Sequence, residues 1–184
     1  MDGPAGPSAK NQEADTCLDV SGSRTFDVLF ITAAECNEDR LFEIESAIKA
    51  AFQDADFTER FGPESPWAHT REGLTGSNSG KYRHVIAQHD RHILGAVFCV
   101  PVERQGVEDA DPGWFFIDPE LHLRMRAEVV RAILQEAHRL MREAGFPRVV
   151  TEMGTHTGAR LLSRHFGYVQ APVIGQENRW TRDL

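Results

Sequence analysis

The chain has few cysteines, no long apolar run and no excess of basic residues. Its three cysteines, Cys17, Cys36 and Cys99, form no CxxC pair, which argues against a disulfide scaffold and against a cysteine-based zinc site. No segment approaches the roughly 18 consecutive apolar residues that a transmembrane helix needs. The formal net charge of −8 argues against a general nucleic-acid binder, because binding to phosphates needs a basic surface.

The N-terminus also lacks a basic region followed by an apolar core. We therefore expect no signal peptide and no membrane association, and we expect the cytoplasm as the location. Residues 1–24 are dominated by Gly, Pro, Ser and polar residues without any helical or strand period, so they are predicted to be a disordered tail. The remaining residues, 25–184, are enough for a single folded domain.

Hydrophobic periodicity divides residues 25–184 into alternating strands and helices. Strands are predicted at 25–32, 82–88, 93–102, 114–117 and 148–153, with two short strands around Gly175. Helices are predicted at 38–52 with Asn37 as N-cap, at about 121–144 before Gly145, and at 156–166 with Thr155 as N-cap. Residues 66–69 are predicted to start a further short helix after Ser65. Loops are predicted at 73–81 and 103–113.

The strands that flank the long helix are predicted to be parallel, because such a crossover joins parallel strands. The other neighbours are predicted to be antiparallel. The expected fold class is therefore α/β (α+β), with a mixed, mostly antiparallel central sheet and helices on both faces.

Two stretches resemble the GNAT superfamily of acyl-CoA-dependent N-acyltransferases. In residues 114–134, a strand ends in Ile117-Asp118-Pro119-Glu120 and leads into the long helix, like the hydrophobic-x-Pro-Glu strand end of the family. Residues 155–168 resemble the closing helix of the family, with matching spacings at Ala159, Leu162, Gly167 and Tyr168. The resemblance covers about 25–184. It implies a GNAT-like acyltransferase domain that transfers an acyl group, most simply acetyl, from acetyl-CoA to the primary amine of a small molecule.

The resemblance places the pyrophosphate of coenzyme A at residues 121–127, which contain no glycine. The family motif, Gln or Arg followed by x-x-Gly-x-Gly/Ala, falls in one register on His122, Met125 and Ala127. In the other register, which the helix length favours, it falls on Arg124, Ala127 and Val129. A helix N-terminus still offers free N–H groups and a positive dipole to phosphate.

Arginine side chains can add donors to this turn. Arg124 and Arg126 are the candidates, although both could equally be solvated or pair with Glu120 and Glu128. The resemblance also implies that the backbone of one strand pairs with the pantetheine arm of the coenzyme. The candidate coenzyme-binding residues are Phe115 and Ile117 for pantetheine, and His122, Leu123, Arg124, Met125, Arg126 and Ala127 for the phosphates.

Acylation of an amine needs a base and donors for the thioester carbonyl, and an acid can help the thiolate to leave. The resemblance places Ser163 where the family often has an acidic tyrosine, and His156 where it often has an asparagine that touches the coenzyme. Histidine can transfer protons near neutral pH. Glu152, a carboxylate on an apolar strand, is a candidate base or a contact for the substrate ammonium. Each residue has a simpler interpretation as a surface group, and Glu152 could pair with an arginine.

Other polar residues give weaker signals. His84, His89 and His92 cluster at a predicted hairpin without a supporting ligand pattern, so no metal is expected. Cys99 lies in an apolar strand and is predicted to be a buried, inert thiol. The variable segments 54–81 and 103–113 are expected to recognise the acceptor. Carboxylates in the second segment would favour a cation, although an acidic loop is also an ordinary solvated surface; they are Glu103, Glu108, Asp109 and Asp111.

The missing glycines and the missing tyrosine leave two alternatives open. One is a catalytically inactive GNAT-fold binding module, and the other is a GNAT-like enzyme with another acyl carrier or another reaction. The sequence does not decide the acceptor, the acyl length or the oligomeric state, and a homodimer remains open.

Overall fold

The computed structural model describes residues 26–32, 36–52, 65–75, 83–104, 106–153, 156–171 and 178–184. Along the chain, the elements are β1 Asp27–Ile31, α1 Glu38–Phe52, α2 Ser65–Thr75, β2 Arg83–His89, β3 His92–Arg104, β4 Val107–Ile117, α3 Leu123–Glu143, β5 Arg148–Glu152, α4 His156–Phe166, β6 Val169–Gln170 and β7 Arg179–Asp183. The predicted tail at 1–24, the predicted cap Thr155 and the predicted turn at Gly175 lie outside the described residues.

The strands form one seven-stranded sheet in the order β1-β2-β3-β4-β5-β7-β6. Every neighbouring pair is antiparallel except β4 and β5, which are parallel and are connected through α3. The prediction of a mostly antiparallel sheet with a parallel pair around the long helix is therefore confirmed.

Helices cover both faces of the sheet, as predicted. On one face, α3 and α4 pack on side chains of β2 and β3 such as Val85 and Val97. On the other face, α1 and α2 pack on the alternating side chains Ile86, Ala96 and Phe98. Burying one large aliphatic side chain contributes roughly 1.5–3 kcal/mol, so these two apolar layers are the main stabilising contribution.

Local signals place several element ends where the sequence predicts them. The Oδ1 atom of Asn37 accepts the N–H of Arg40 at 2.9 Å, which caps α1. Asp90 and Arg91 both have positive φ, 46° and 69°, as a two-residue turn between β2 and β3 requires. Gly145 has a φ of 86° just after α3 and ends that helix.

The predicted loop at 103–113 is wrong. β3 continues to Arg104, and β4 begins at Val107, so the acidic segment is the first half of a long hairpin strand. Asp109 is fully buried, and its carboxylate binds the guanidinium of Arg148 at 2.8 and 2.9 Å. Pairing with β3 and this ion pair outweigh the low strand propensity of Asp, Pro and Gly. Asp109 therefore does not belong to an exposed acidic rim.

The predicted start of a short helix at 66–69 is confirmed, whereas the predicted loop at 73–81 starts too early. α2 runs from Ser65 to Thr75 and includes Gly73. Trp67 and Leu74 of α2 are buried in the core layer that this helix shares with α1. Tertiary packing therefore extends the helix across a glycine that is unfavourable by itself.

Candidate active site

β4 separates from β5 after a single pair of residues. Ala110 pairs with Val149, although β4 continues to Ile117 and β5 continues to Glu152. Pro112 has no N–H for a ladder bond. Gly113 has no partner on β3, because Trp114 pairs with Phe98 and Pro112 pairs with Cys99. A bulge of this kind bends a strand. We call the space between residues 111–117 and the end of β5 the β4–β5 gap.

Two backbone units of β4 point into the β4–β5 gap. The N–H of Asp118 donates to the carbonyl oxygen of Leu94 at 2.9 Å, and Gly95 is opposite Ile117. In an antiparallel ladder, bonded and non-bonded pairs alternate. The N–H and C=O groups of Phe115 and Ile117 therefore point away from β3 and towards β5. Since β5 makes no pair with them, this edge of β4 is open to an extended ligand.

The turn after β4 is held by a carboxylate with several partners. Asp118 Oδ1 accepts the N–H of Glu120 at 2.8 Å, and Asp118 Oδ2 lies 2.8 Å from Nε2 of His92. These contacts and the bond from Asp118 to Leu94 attach the turn to the start of β3. The start of α3 is therefore fixed relative to the β4–β5 gap.

The N-terminus of α3 lies at the end of this turn. His122 is the N-cap, and its Nδ1 atom accepts the N–H of Met125 at 3.4 Å. The N–H of Arg126 donates to the carbonyl oxygen of His122, which begins the helical ladder. Within the described residues, the N–H groups of Leu123 and Arg124 have no acceptor. The Leu123 side chain is 83% exposed and packs on nothing at this end of the helix.

The position of α3 bears on the two registers of the phosphate motif. Val129 lies in the second turn of the helix and is fully buried. A register that ends at Val129 would place part of a ligand-binding turn inside the core. The register with His122, Met125 and Ala127 instead spans the start of the helix, so both registers remain predictions.

The two candidate arginines have different surroundings. Arg124 is exposed and forms an ion pair with Glu128 at 3.2 Å, as the simpler interpretation anticipated. Arg126 donates from Nε to the carbonyl oxygen of Leu121 at 2.7 Å and from Nη2 to the carbonyl oxygen of Pro119. Arg126 therefore closes the turn, whereas the guanidinium of Arg124 is paired with a surface carboxylate.

The three candidate catalytic residues lie at the end of β5 and on α4. Glu152 ends β5, is 42% exposed, and pairs with Arg179 at 3.3 Å. His156 is the first residue of α4 and is exposed. Ser163 lies two turns further along the same helix face, and its hydroxyl donates to the carbonyl oxygen of Arg160 at 3.3 Å. Glu152 and His156 thus border the gap, while Ser163 is about 10 Å from His156 along the axis.

Parallel strands place two helix N-termini at the same edge of the sheet. α3 follows β4 and α4 follows β5, and the two strands run in the same direction. The positive ends of both helix dipoles therefore lie beside the β4–β5 gap. Such an arrangement favours an anionic ligand at this edge.

Other predicted features lie away from the gap or are closed to ligands. Cys99 is buried, as predicted, and burial raises the pKa of its thiol. Tyr168 is also packed in the core, as predicted. His84 is buried against the ring of Phe98, whereas His89 and His92 are exposed at the hairpin. Among the described residues, no group of three His, Cys, Asp or Glu side chains is arranged to hold a metal ion.

Sequence reasoning missed the bulge that opens the gap and the ion pair beside it. The Pro112-Gly113 dipeptide is a signal for the bulge, but it also fits the end of the loop that the sequence predicts at 103–113. Nothing local in the sequence indicates that Asp109 pairs with Arg148, because 39 residues separate them.

Neither the family models nor the curated proteins match the sequence. Among solved structures, the PaiA N-acetyltransferase of Thermoplasma acidophilum in complex with coenzyme A matches with a TM-score of 0.66 at 10% identity, covering 88% of this chain and 100% of that chain. The chain has the GNAT fold. The predicted fold is therefore confirmed.

Two further structures with the GNAT fold show the same likeness. A protein of Desulfovibrio desulfuricans assigned to the GNAT family matches with a TM-score of 0.63 at 15% identity, covering 86% of this chain and 98% of that chain. The NatC complex bound to Gag peptide and coenzyme A matches with a TM-score of 0.58 at 11% identity, covering 88% of this chain and 99% of that chain. In addition, no helix of the described residues is long and apolar enough to cross a membrane.

Proposed function

We propose that the protein is an acyl-CoA-dependent N-acyltransferase, which transfers an acyl group, most simply acetyl, to the primary amine of a small molecule. The β4–β5 gap is the observation that carries this proposal. It joins an open backbone edge at Phe115 and Ile117 to the free N–H groups at the start of α3. Coenzyme A has the matching order of groups, since its extended pantetheine arm is followed by a diphosphate.

The residues present fit coenzyme A in a defined way. The backbone groups of Phe115 and Ile117 would bind the pantetheine amides as an added strand does. The N–H groups of Leu123 and Arg124 would bind the diphosphate, assisted by the Arg124 guanidinium. Arg126 would hold the turn in shape without touching the ligand. PaiA, which shares this fold, was solved with coenzyme A bound.

The reaction requires the amine nitrogen to bond to the thioester carbon while the carbon–sulfur bond breaks. A base removes one proton from the attacking ammonium, and the departing sulfur takes up a proton. Glu152 carries a carboxylate at the border of the gap and would attract the ammonium group. His156 would accept the proton on a ring nitrogen, since imidazole can act as a general base. The Ser163 hydroxyl is too weak an acid to protonate the sulfur, and it would instead bond the thiolate or a water molecule.

Calorimetry with acetyl-CoA tests binding, and release of free thiol across a panel of small amines tests turnover. We expect saturable binding and thiol release with at least one primary amine. Absence of binding at millimolar acetyl-CoA would overturn the proposal. The variants Glu152→Gln and His156→Ala should each reduce turnover more than acetyl-CoA affinity. Unchanged turnover in both variants would remove those two roles.

A binding module without turnover is the second candidate. Ser163 donates to its own helix, and Glu152 is paired with Arg179, so both groups already have partners. The module would bind coenzyme A with the same contacts but release no thiol with any amine. A third arrangement, in which the acyl group arrives on another carrier, predicts activity with a carrier-bound thioester and none with acetyl-CoA.

A further inference from the structure

A cavity between α3, α4 and β7 lies far from the β4–β5 gap. Its volume is about 320 Å³. Its lining residues are Arg131, Gln135, His138, Arg142, His165, Phe166 and Arg182. Arg182 lies opposite Val149, at the start of β5, whereas the gap opens at the end of that strand. The cavity and the gap are thus at opposite edges of the sheet.

Three arginines converge on this cavity without a neutralising carboxylate. Within the described part of the chain, Arg131, Arg142 and Arg182 have no Asp or Glu within 4.0 Å. Elsewhere, arginines do pair with carboxylates, for example Arg139 with Glu136 and Arg148 with Asp109. Three like charges around one cavity repel one another unless an anion lies between them. In a chain of net charge −8, this concentration of positive charge is a local exception.

The floor of the cavity holds one of these arginines in place. His138 is buried, its Nδ1 atom lies 3.1 Å from Nη1 of Arg182, and its Nε2 atom lies 2.8 Å from the hydroxyl of Tyr168. Burial, together with the charges of Arg182 and Arg142, lowers the pKa of His138 to about 4. The ring is therefore neutral at pH 7, and Nδ1 accepts from Arg182 while Nε2–H donates to Tyr168. This chain orients the guanidinium before any ligand arrives.

We infer that the cavity binds the phosphate group of a small phosphorylated molecule. Three guanidinium groups that line one cavity suit a tetrahedral anion with several acceptor oxygens and nearly two negative charges, whereas a planar carboxylate occupies one guanidinium fork. The volume exceeds that of a phosphate group alone. Gln135 and the ring of Phe166 are then available to the organic part of the ligand.

The site is separate from the proposed coenzyme site and does not depend on it. Arg131 and Arg142 follow Leu123 by 8 and 19 residues, which corresponds to about 12 and 28 Å along the axis of α3. A phosphate bound at Arg142 and Arg182 therefore lies well beyond the diphosphate position at the start of that helix.

The test is a titration of the full-length protein with inorganic phosphate at low ionic strength, followed by calorimetry and by amide chemical shifts. We expect saturable binding and shifts centred on Gln135, Arg142 and Arg182. Arg142→Gln and Arg182→Gln should each weaken phosphate binding about tenfold or more, since a charged hydrogen bond is removed. Arg164→Gln is the matched control, because it removes one exposed charge from α4 outside the cavity, and it should change the affinity less than twofold.

Arg182 is half-buried, so Arg131→Gln, at an exposed position, serves as a second probe that leaves the core intact. Equal weakening by Arg164→Gln would overturn the inference, because it would indicate a general charge effect. Displacement of phosphate by saturating coenzyme A, or shifts centred on Leu123 and Arg124, would also overturn it. Phosphate binding that persists with coenzyme A bound, and that Arg142→Gln still weakens, supports a second site.

Discussion

Arg124 and Arg126 are two residues apart, yet the structure gives them opposite tasks. Arg126 donates to two carbonyl groups of the turn, at Pro119 and Leu121, while Arg124 forms one exposed ion pair with Glu128. An exposed ion pair contributes about 0–1 kcal/mol to the free energy of unfolding, whereas a buried or shielded donor contributes about 1 kcal/mol for each bond.

The variants Arg124→Gln and Arg126→Gln should therefore separate binding from stability. Arg124→Gln should weaken acetyl-CoA binding about tenfold and leave the free energy of unfolding within about 0.5 kcal/mol. Arg126→Gln should lower both the affinity for acetyl-CoA and the free energy of unfolding, the latter by about 1–2 kcal/mol, because two carbonyl groups lose their donor. Calorimetry and urea denaturation of both variants measure the difference. Loss of stability in Arg124→Gln with unchanged affinity would reverse the assignment.

At the scale of single elements, β4 combines a paired edge and an open edge. Trp114 and Phe116 face β3 with their backbone groups, while Phe115 and Ile117 face the gap. Without ligand, the amides of Phe115 and Ile117 should exchange with solvent at least tenfold faster than that of Phe116. Saturating acetyl-CoA should slow the exchange of Phe115 and Ile117 and leave Phe116 unchanged. Hydrogen exchange measured by NMR resolves these amides, and equal rates along β4 would argue against an open edge.

The elements also show what the sequence could predict. α1 and α4 begin and end at the predicted residues because a regular apolar stripe and a clear end signal coincide there. β4 was half missed, since residues 107–113 contain acidic residues, Pro and Gly and become a strand only through pairing with β3. The candidate residues at the start of α3 follow from the resemblance to the GNAT superfamily. The gap beside them could not be predicted, because it depends on a β-bulge and hydrophobic periodicity does not indicate bulges.

The ion pair between Asp109 and Arg148 joins β4 to β5 beside their one register pair. Asp109 is fully buried, while the side chain of Arg148 is 41% exposed. Arg148→Met should therefore lower the free energy of unfolding more than Asp109→Asn does, because only the first variant leaves a buried carboxylate without a partner. We expect Arg148→Met to lower the free energy of unfolding by about 2–3 kcal/mol, a figure that takes into account that the arginine is partly exposed to solvent. The decrease for Asp109→Asn should be about 1 kcal/mol smaller.

Urea denaturation of the two variants and of the double variant measures this coupling. The double variant should be more stable than Arg148→Met, because the buried charge is gone. If the double variant is as unstable as the sum of the two single variants, the two side chains do not interact and the pair does not hold the strands together.

At the scale of the whole molecule, each face of the sheet contains one buried histidine that stays neutral, counting the residues whose burial is described. His84 packs against Phe98 on the side of α1 and α2, and burial lowers its pKa to about 3. His138 lies in α3 on the other side, with a pKa of about 4. Neither ring takes up a proton in the folded protein at mildly acidic pH. Acidification therefore lowers the free energy of unfolding through both histidines.

Acid should therefore destabilise the protein well above the pH at which its carboxylates titrate. An unfolded histidine has a pKa of about 6.5, so between pH 6.5 and about 4 the unfolded chain binds a proton that folded His138 does not. The free energy of unfolding then rises with pH across this window and falls on acidification. Between pH 7 and pH 5, His138 should lower the free energy of unfolding by about 2 kcal/mol. In His138→Gln this part of the loss disappears, while the contribution of His84 remains. Urea denaturation at both pH values measures the difference between the two proteins, and an identical loss in both would show that His138 is protonated without penalty in the fold.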